Sequence, residues 1–223
     1  YRTPYRDAIE PQGVKILLGA GASSLVLEAR NLAAARGLRL LFEGVSFEVA
    51  SGESLELRGP NGSGKSTLLR ILAGLTRPQA GTVNLSGSED ANGLHYLGHL
   101  DAVKPAETAA EQARFWARYF GRDVATAKAA MKRVGLGSRG AVPGRGLSAG
   151  QKRRLALTRL LIEPRPLWLL DEPTAALDNE GRDLVAQLVA EHRASGGMVI
   201  AAVHGDGFAG SRVLDLSKLK ANT

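Results

Sequence analysis

The chain has 223 residues, 44% of them hydrophobic and 23% charged, enough to bury a sizeable core in one large domain. It has no cysteine, which excludes a disulfide framework and fits a reducing compartment, and no run reaches the roughly 18 apolar residues that a membrane-spanning helix needs. The net charge of +7 comes from 29 basic and 22 acidic residues that are dispersed, with "KRR" (152–154) the densest run and no aromatic interleaving, so no nucleic-acid partner is expected.

The first 24 residues read as a flexible lead-in. "YRTPYRDAIEPQG" lacks the apolar centre of a signal peptide and has no initiator Met, which points to a trimmed start. "GAGASS" (19–24) carries only part of a dinucleotide fingerprint and precedes a strand-like run instead of a helix. From Leu25 strand-like runs appear at "LVLEA", "VSFEV", "SLELRG", "GTVNLSG" and "LHYLG". Between the third and fourth lies "GPNGSGKST" (59–67), which satisfies G-x-x-x-x-G-K-[ST] and opens the helical run "TLLRILAGL". Gly59, Pro60, Asn61, Gly62, Ser63 and Gly64 form a loop whose backbone N–H groups, with the helix start at Lys65, Ser66 and Thr67, can wrap phosphates. Lys65 reaches the β- and γ-phosphates of a nucleotide and the Ser66 hydroxyl can hold Mg²⁺. ATP with Mg²⁺ is the expected pairing.

"LHYLGHLDAV" (94–103) places His95 and His99 four apart, a spacing that faces one way only on a helix. The surrounding pattern is strand-like, there is no Cys, and no H-E-x-x-H frame is present, so a metal pair is not expected. His95 is expected within the strand, half-buried. The stretch 101–146 then turns Ala-rich and helical. Thr108 and Glu111 make a capping box before "QARFWARYFG", and "VATAKAAMKRVG" forms a second helix.

"LSAGQKRRLALTRLL" (147–161) begins a further helix with Ser148 as cap and Gln151 at the capping-box position. Its small residues, Gly150 among them, leave the backbone open to a second anion, which cannot be the first phosphate unless the chain folds back or pairs with another copy. "LWLLDEP" (167–173) is an apolar strand ending in two carboxylates at the edge where an α/β sheet presents catalytic groups. Asp171 is expected to hold Mg²⁺ and Glu172 to act as general base on the attacking water. "EGRDLVAQLVAEHRAS" and the strand "GMVIAAV" follow, the latter ending at His204.

Together these motifs resemble the ATP-binding cassette (ABC) ATPases, whose signature is LSGGQ; Ala149 stands in place of its first glycine. The resemblance spans about 25–216. It implies an α/β fold: a P-loop NTPase domain over 25–217 with a RecA-like core, an antiparallel β subdomain and a short helical insertion at about 101–146, followed by a tail, 218–223. It also implies an ATP-dependent homodimer in which Ser148, Gly150 and Gln151 of one copy close over the γ-phosphate held by the other. "AALD" (175–178) is similar to the D-loop, which puts Asp178 across that interface, and His204 matches the switch histidine. Aligned on the strand before the insertion, His99 takes the place of the glutamine that serves the metal and water site and hinges the insertion. The family's adenine-stacking aromatic falls at Arg36, which either stacks on the base or sits solvated while another group covers it, so preference for ATP over GTP is open.

"YLGH", "RLLFEGVSFEV" and the compact length narrow the resemblance to the ATP-binding subunit of bacterial cytochrome c maturation, the haem exporter A family. That implies an integral membrane subunit of the haem exporter B type as partner, a haem chaperone system acting indirectly, and a peripheral place on the cytoplasmic face of the bacterial inner membrane. Another small-molecule exporter, or a soluble nucleic-acid-associated ABC protein, are the alternatives. The single cassette and short insertion speak against the latter.

Overall fold

The chain builds two sheets, one mainly antiparallel, whose strands mix buried and exposed positions, and one all parallel, whose central strands are buried on both faces. The computed structural model describes residues 14–17, 25–87 and 93–219. In the first sheet β2 (Val26–Arg36) and β3 (Arg39–Ala50) form a long antiparallel hairpin, turned by Gly37 and Leu38 with Gly37 at φ 61°. β5 (Ala80–Ser86) pairs antiparallel with β2 on its other side. β1 (Val14–Leu17) lies parallel to β5 at the edge, giving the order β1-β5-β2-β3. Sequence reading places only a lead-in before Leu25, because four residues without periodicity carry no strand signal. "GAGASS" and the remainder of 1–24, like 220–223, lie outside the described residues.

The second sheet is all parallel, in the order β6-β7-β8-β4-β9: β6 (Leu94–Leu97), β7 (Leu167–Asp171), β8 (Met198–Ala202), β4 (Ser54–Arg58) and β9 (Arg212–Asp215). Every residue of β7 and β8 is buried, as expected for parallel strands covered on both faces. On one face α1 (Lys65–Leu72) fills the space between the sheets, where Phe42, Leu68, Leu69, Leu169 and Ile200 share one core. On the other face α4 (Ala149–Ile162) and α5 (Asn179–Ala194) pack with Leu155, Leu170, Val189 and Val199 in a second core. That core continues through Ala113 and Met131 into the insertion, α2 (Ala109–Tyr119) and α3 (Val124–Arg133).

Local chemistry sets the ends of these helices. The Thr108 hydroxyl accepts from the Glu111 N–H while the Glu111 carboxylate accepts from the Thr108 N–H, the reciprocal box read from the sequence. Asp123 caps α3 at the Thr126 N–H. Gly121 at φ 69° and Gly135 at φ 77° follow the two helices in the left-handed conformation that stops them.

Two histidines belong to the core. His95 on β6 is buried, bonds Nε2 to the Glu163 carbonyl oxygen at 2.6 Å and meets the Phe120 ring edge-on. His192 on α5 stacks on Trp168 with ring centroids 3.9 Å apart. Burial pushes both imidazoles down from the ordinary 6.5 to about 4. Between those values the unfolded chain binds protons that the folded chain refuses. Stability is therefore unaffected by these groups above about pH 6.5 and falls as the pH drops from there towards 4. Thermal melting followed across that window should show the decline, and His95→Gln, which keeps a neutral donor for Glu163, should reduce it to the part contributed by His192.

Candidate active site

Because β8 lies between β7 and β4, the segments leaving the C-terminal ends of β4, β6, β7 and β8 meet along one edge of the sheet. From β4 comes the Gly59–Thr67 loop. Gly64 caps α1 at φ 104°, and a Cβ there would stand 2.8 Å from the Phe42 ring, so β3 admits only glycine. No side chain caps α1 and no acid sits in its first turn, which leaves its N–H groups and positive dipole end for an anion. Lys65 folds along the loop, Nζ donating to the Gly59 and Pro60 carbonyls at 2.7 and 3.2 Å. Burial lowers its pKa from the ordinary lysine value, while the Glu172 and Asp171 carboxylates act the other way. Ser63 is buried behind the loop, and Asn61 and Gly62 are exposed.

Asp171 ends β7 at 1% exposure. Its Oδ1 accepts from the Ser66 hydroxyl at 3.1 Å, and its Oδ2 is buried without a hydrogen-bond partner, 3.8 Å from His99 Nδ1. A buried carboxylate oxygen left open beside a serine hydroxyl suits a hard cation such as Mg²⁺. Among the described residues no group of three His, Cys, Asp or Glu could hold a metal, so such a cation needs oxygen ligands from its substrate. Glu172 follows in a left-handed conformation, φ 51°, and its Oε1 lies 3.1 Å from His204 Nε2. The segment after His204 is held by Glu56 of β4, 2% exposed, whose carboxylate accepts from the Phe208 N–H at 2.5 Å and from Arg58 Nη2 at 2.7 Å. A Cβ on Gly207 would overlap that carboxylate. Beyond the Glu172–His204 pair opens a cleft of about 680 Å³ lined also by Arg182, Asp183 and Asp206.

Elsewhere on the surface, α4 starts with the second reciprocal box. The Ser148 hydroxyl accepts from the Gln151 N–H at 3.2 Å and the Gln151 side-chain Oε1 accepts from the Ser148 N–H at 3.0 Å. Ser148 and Ala149 are exposed. Asp178 caps α5 through the Gly181 N–H at 2.9 Å and pairs with Arg154 at 3.0 Å. The backbone bond, then Arg154, holds its carboxyl below the ordinary range. Arg36 ends β2 opposite Arg39, and of the two it is Arg39 whose guanidinium lies against Gly62, 3.8 Å from where a Cβ would stand.

Three residues escape sequence reading: Arg39, Glu56 and Arg153. A carboxylate inside the apolar run "SLEL" was a readable signal of a buried polar contact, whereas Arg153 is hidden in a basic run that looks like a solvated face.

The profile of the ABC transporter family matches residues 42–175. Two relatives, both "Cytochrome c biogenesis ATP-binding export protein CcmA", come from Rhodopseudomonas palustris (strain BisB5) and Paramagnetospirillum magneticum. The first is 47% identical over 80% of this chain and 91% of its own length, the second 49% identical over 82% and 90%. The chain belongs to the ABC transporter family, among the cytochrome c biogenesis ATP-binding export proteins. As a member of that family it is an ATPase. Solved ABC structures agree: "Structure of ATP binding subunit of ABC transporter" superposes with a TM-score of 0.68 at 25% identity, over 80% of this chain and 79% of that one. A putative ABC transporter ATP-binding protein from Pyrococcus furiosus superposes at 0.72, over 88% of this chain and 100% of that one; at 21% identity it speaks for the fold alone.

The ABC signature is glycine-rich, and the geometry explains why alanine is accepted at one position. Ala149 is exposed, whereas a Cβ on Gly150 would lie 2.9 Å from the Ala176 carbonyl oxygen. Gly150→Ala should therefore destabilise by about 1–3 kcal/mol through overpacking, and Ala149→Gly by less than about 1 kcal/mol, as read by urea denaturation.

Proposed function

We propose that this chain is the ATP-hydrolysing subunit of a membrane ABC complex for c-type cytochrome biogenesis, driving haem export or the release of haem from its periplasmic chaperone. The observation that carries the hydrolytic reading is the Glu172–His204 pair, 3.1 Å apart at the end of β7, next to the open Asp171 oxygen and the Lys65–Ser66 loop. The cytochrome assignment rests on the cytochrome c biogenesis ATP-binding export proteins to which the chain is 47–49% identical.

The P-loop N–H groups and Lys65 hold the β- and γ-phosphates, with Lys65 Nζ leaving the Gly59 and Pro60 carbonyls for phosphate oxygen. Ser66 and Asp171 would hold Mg²⁺, which supplies neutralisation of charge on the phosphates, with His99 ordering water beside them. Glu172 accepts a proton from water as its oxygen attacks the γ-phosphorus and the bond to the β-bridging oxygen breaks, yielding ADP and phosphate. His204 fixes the Glu172 carboxylate and contacts the γ-phosphate. On the hairpin side Arg36 either stacks on the base or stays solvated, with its register partner Arg39, which lies against Gly62, as the group that covers the base instead. A guanidinium stacks on any purine, so discrimination of ATP from GTP is expected to be shallow.

Ser148, Gly150 and Gln151 of a second copy close over the γ-phosphate, and Asp178, its side chain 71% exposed, lies at that interface. No helix among the described residues is long and apolar enough to cross a membrane, so an integral subunit provides the membrane part. Segment 100–115 with the end of α2 is its docking surface, a reading supported by exposed Leu100, Phe115 and Tyr119.

Lys65→Ala should abolish ATP turnover. Glu172→Gln should slow it by about 10²–10⁴ while ATP still binds, as for loss of a general base. In cells whose only copy carries Glu172→Gln, haem staining should find covalent cytochromes c missing while the protein stays with the membrane. Normal cytochromes c would return the cargo to another exporter.

A further inference from the structure

Arg153 on α4 is the most deeply buried cation among the described residues, 2% exposed. A buried guanidinium is tolerated only when its N–H groups are met, and all five of its donors are. Nε donates to the Pro173 carbonyl at 3.2 Å. One terminal nitrogen, Nη2, donates to the carbonyls of Asp171 at 2.6 Å and Glu172 at 2.7 Å. The other, Nη1, donates to the Gly98 carbonyl at 2.8 Å and to Asp101 Oδ1 at 3.0 Å. One planar fork thus gathers three successive carbonyls at the end of β7 and joins them to the segment that leaves β6 for the helical insertion, next to His99.

The middle carbonyl belongs to Glu172. A left-handed backbone costs a non-glycine residue about 1–2 kcal/mol, so φ 51° persists there only because both sides of the residue are pinned. Its N–H donates to the Ala202 carbonyl of β8 at 3.0 Å, and its C=O accepts from Arg153 Nη2 at 2.7 Å and, across the following turn, from the Ala175 N–H at 3.0 Å. That backbone geometry decides where the Glu172 side chain leaves the sheet, and so where it meets His204.

We propose that Arg153 is a positioning residue for hydrolysis: its five-point fork holds Glu172 in the conformation that aims its carboxylate, and transmits displacement of the 98–101 segment to that carboxylate. The inference rests on the role of Glu172 as general base. Arg153 touches no reacting atom. It acts on the rate of the chemical step and leaves nucleotide binding, which belongs to the P-loop, intact. Lysine keeps the charge but offers one nitrogen, which cannot serve carbonyls spread over three residues and a second segment.

The test is a double-mutant cycle of Arg153→Lys and Glu172→Gln in the full-length chain, reading kcat, KM for ATP, ATP affinity and melting temperature together. Arg153→Lys should lower kcat by about 10²-fold, the scale of a 1 Å misplacement, with ATP affinity and KM unchanged within about threefold. In the Glu172→Gln background the same substitution should change kcat little, because there is no base left to aim. Additive losses, or a loss of ATP affinity matching the loss of kcat, would overturn the proposal. Full turnover in Glu172→Gln alone would instead overturn the base assignment. A second variant, Arg153→Ala, adds a rescue test: guanidinium, and not methylammonium at equal ionic strength, should restore turnover, and failure of guanidinium counts against the fork. If neither variant folds, Asp101→Asn weakens only the side-chain arm of the fork. It should lower kcat several-fold in the wild-type background and not in Glu172→Gln; an unchanged kcat refutes transmission from the insertion.

Discussion

Parallel strands covered on both faces have to deliver their polar groups at their ends, and in this chain the strand order decides which ends become neighbours. With β8 between β7 and β4, the carboxylates after β7, the histidine after β8 and the phosphate-type loop after β4 lie side by side, and β6 adds His99 and the start of the insertion. The rest of the architecture serves that edge. The antiparallel sheet lays Phe42 against Gly64 and so shapes the loop. The insertion hangs from the same edge, between β6 and α4.

The electrostatics of the edge are balanced between two sides. Lys65 and the uncapped N-terminus of α1 offer positive potential, and Asp171 and Glu172 stand opposite with negative charge. The open Oδ2 of Asp171 is costly in a buried place, where an unpaired carboxylate oxygen loses its water without gaining a partner. The α4 start is different in kind: Ser148 and Gln151 satisfy one another, so that helix end is ordered locally and exposed.

Two buried charges do work that apolar side chains of equal size could not. Glu56 ties the segment after His204 to the central strand, and Arg153 ties the signature helix to the backbone on either side of Glu172. Buried ionic groups of this kind contribute little net stability, since desolvation offsets most of the attraction. What they do supply is a single geometry. Here they fix the backbone near His204 and at Glu172, the pair that stands 3.1 Å apart.

The local rules read off the chain carry far. The P-loop helix start, both capping boxes and the apolar strand ending at Asp171 each depend on residues a few positions apart, and the structure follows them closely. Short strands such as Val14–Leu17 and Arg212–Asp215 lack the length for a periodic signal, and β2 and β3 outgrow their strand-like cores because a two-residue glycine turn zips them together. Ala149 against Gly150 could not be ranked from sequence either, since the difference lies in a carbonyl 26 residues on, at Ala176. Sequence by itself determined the phosphate loop, the carboxylates and the helix ends, all set by contacts within one turn or one strand. Only tertiary structure decided that Arg39 reaches Gly62 and that Arg153, unremarkable in a basic run, sits buried beneath Glu172, because these contacts join segments distant in the chain that meet only when the sheets assemble.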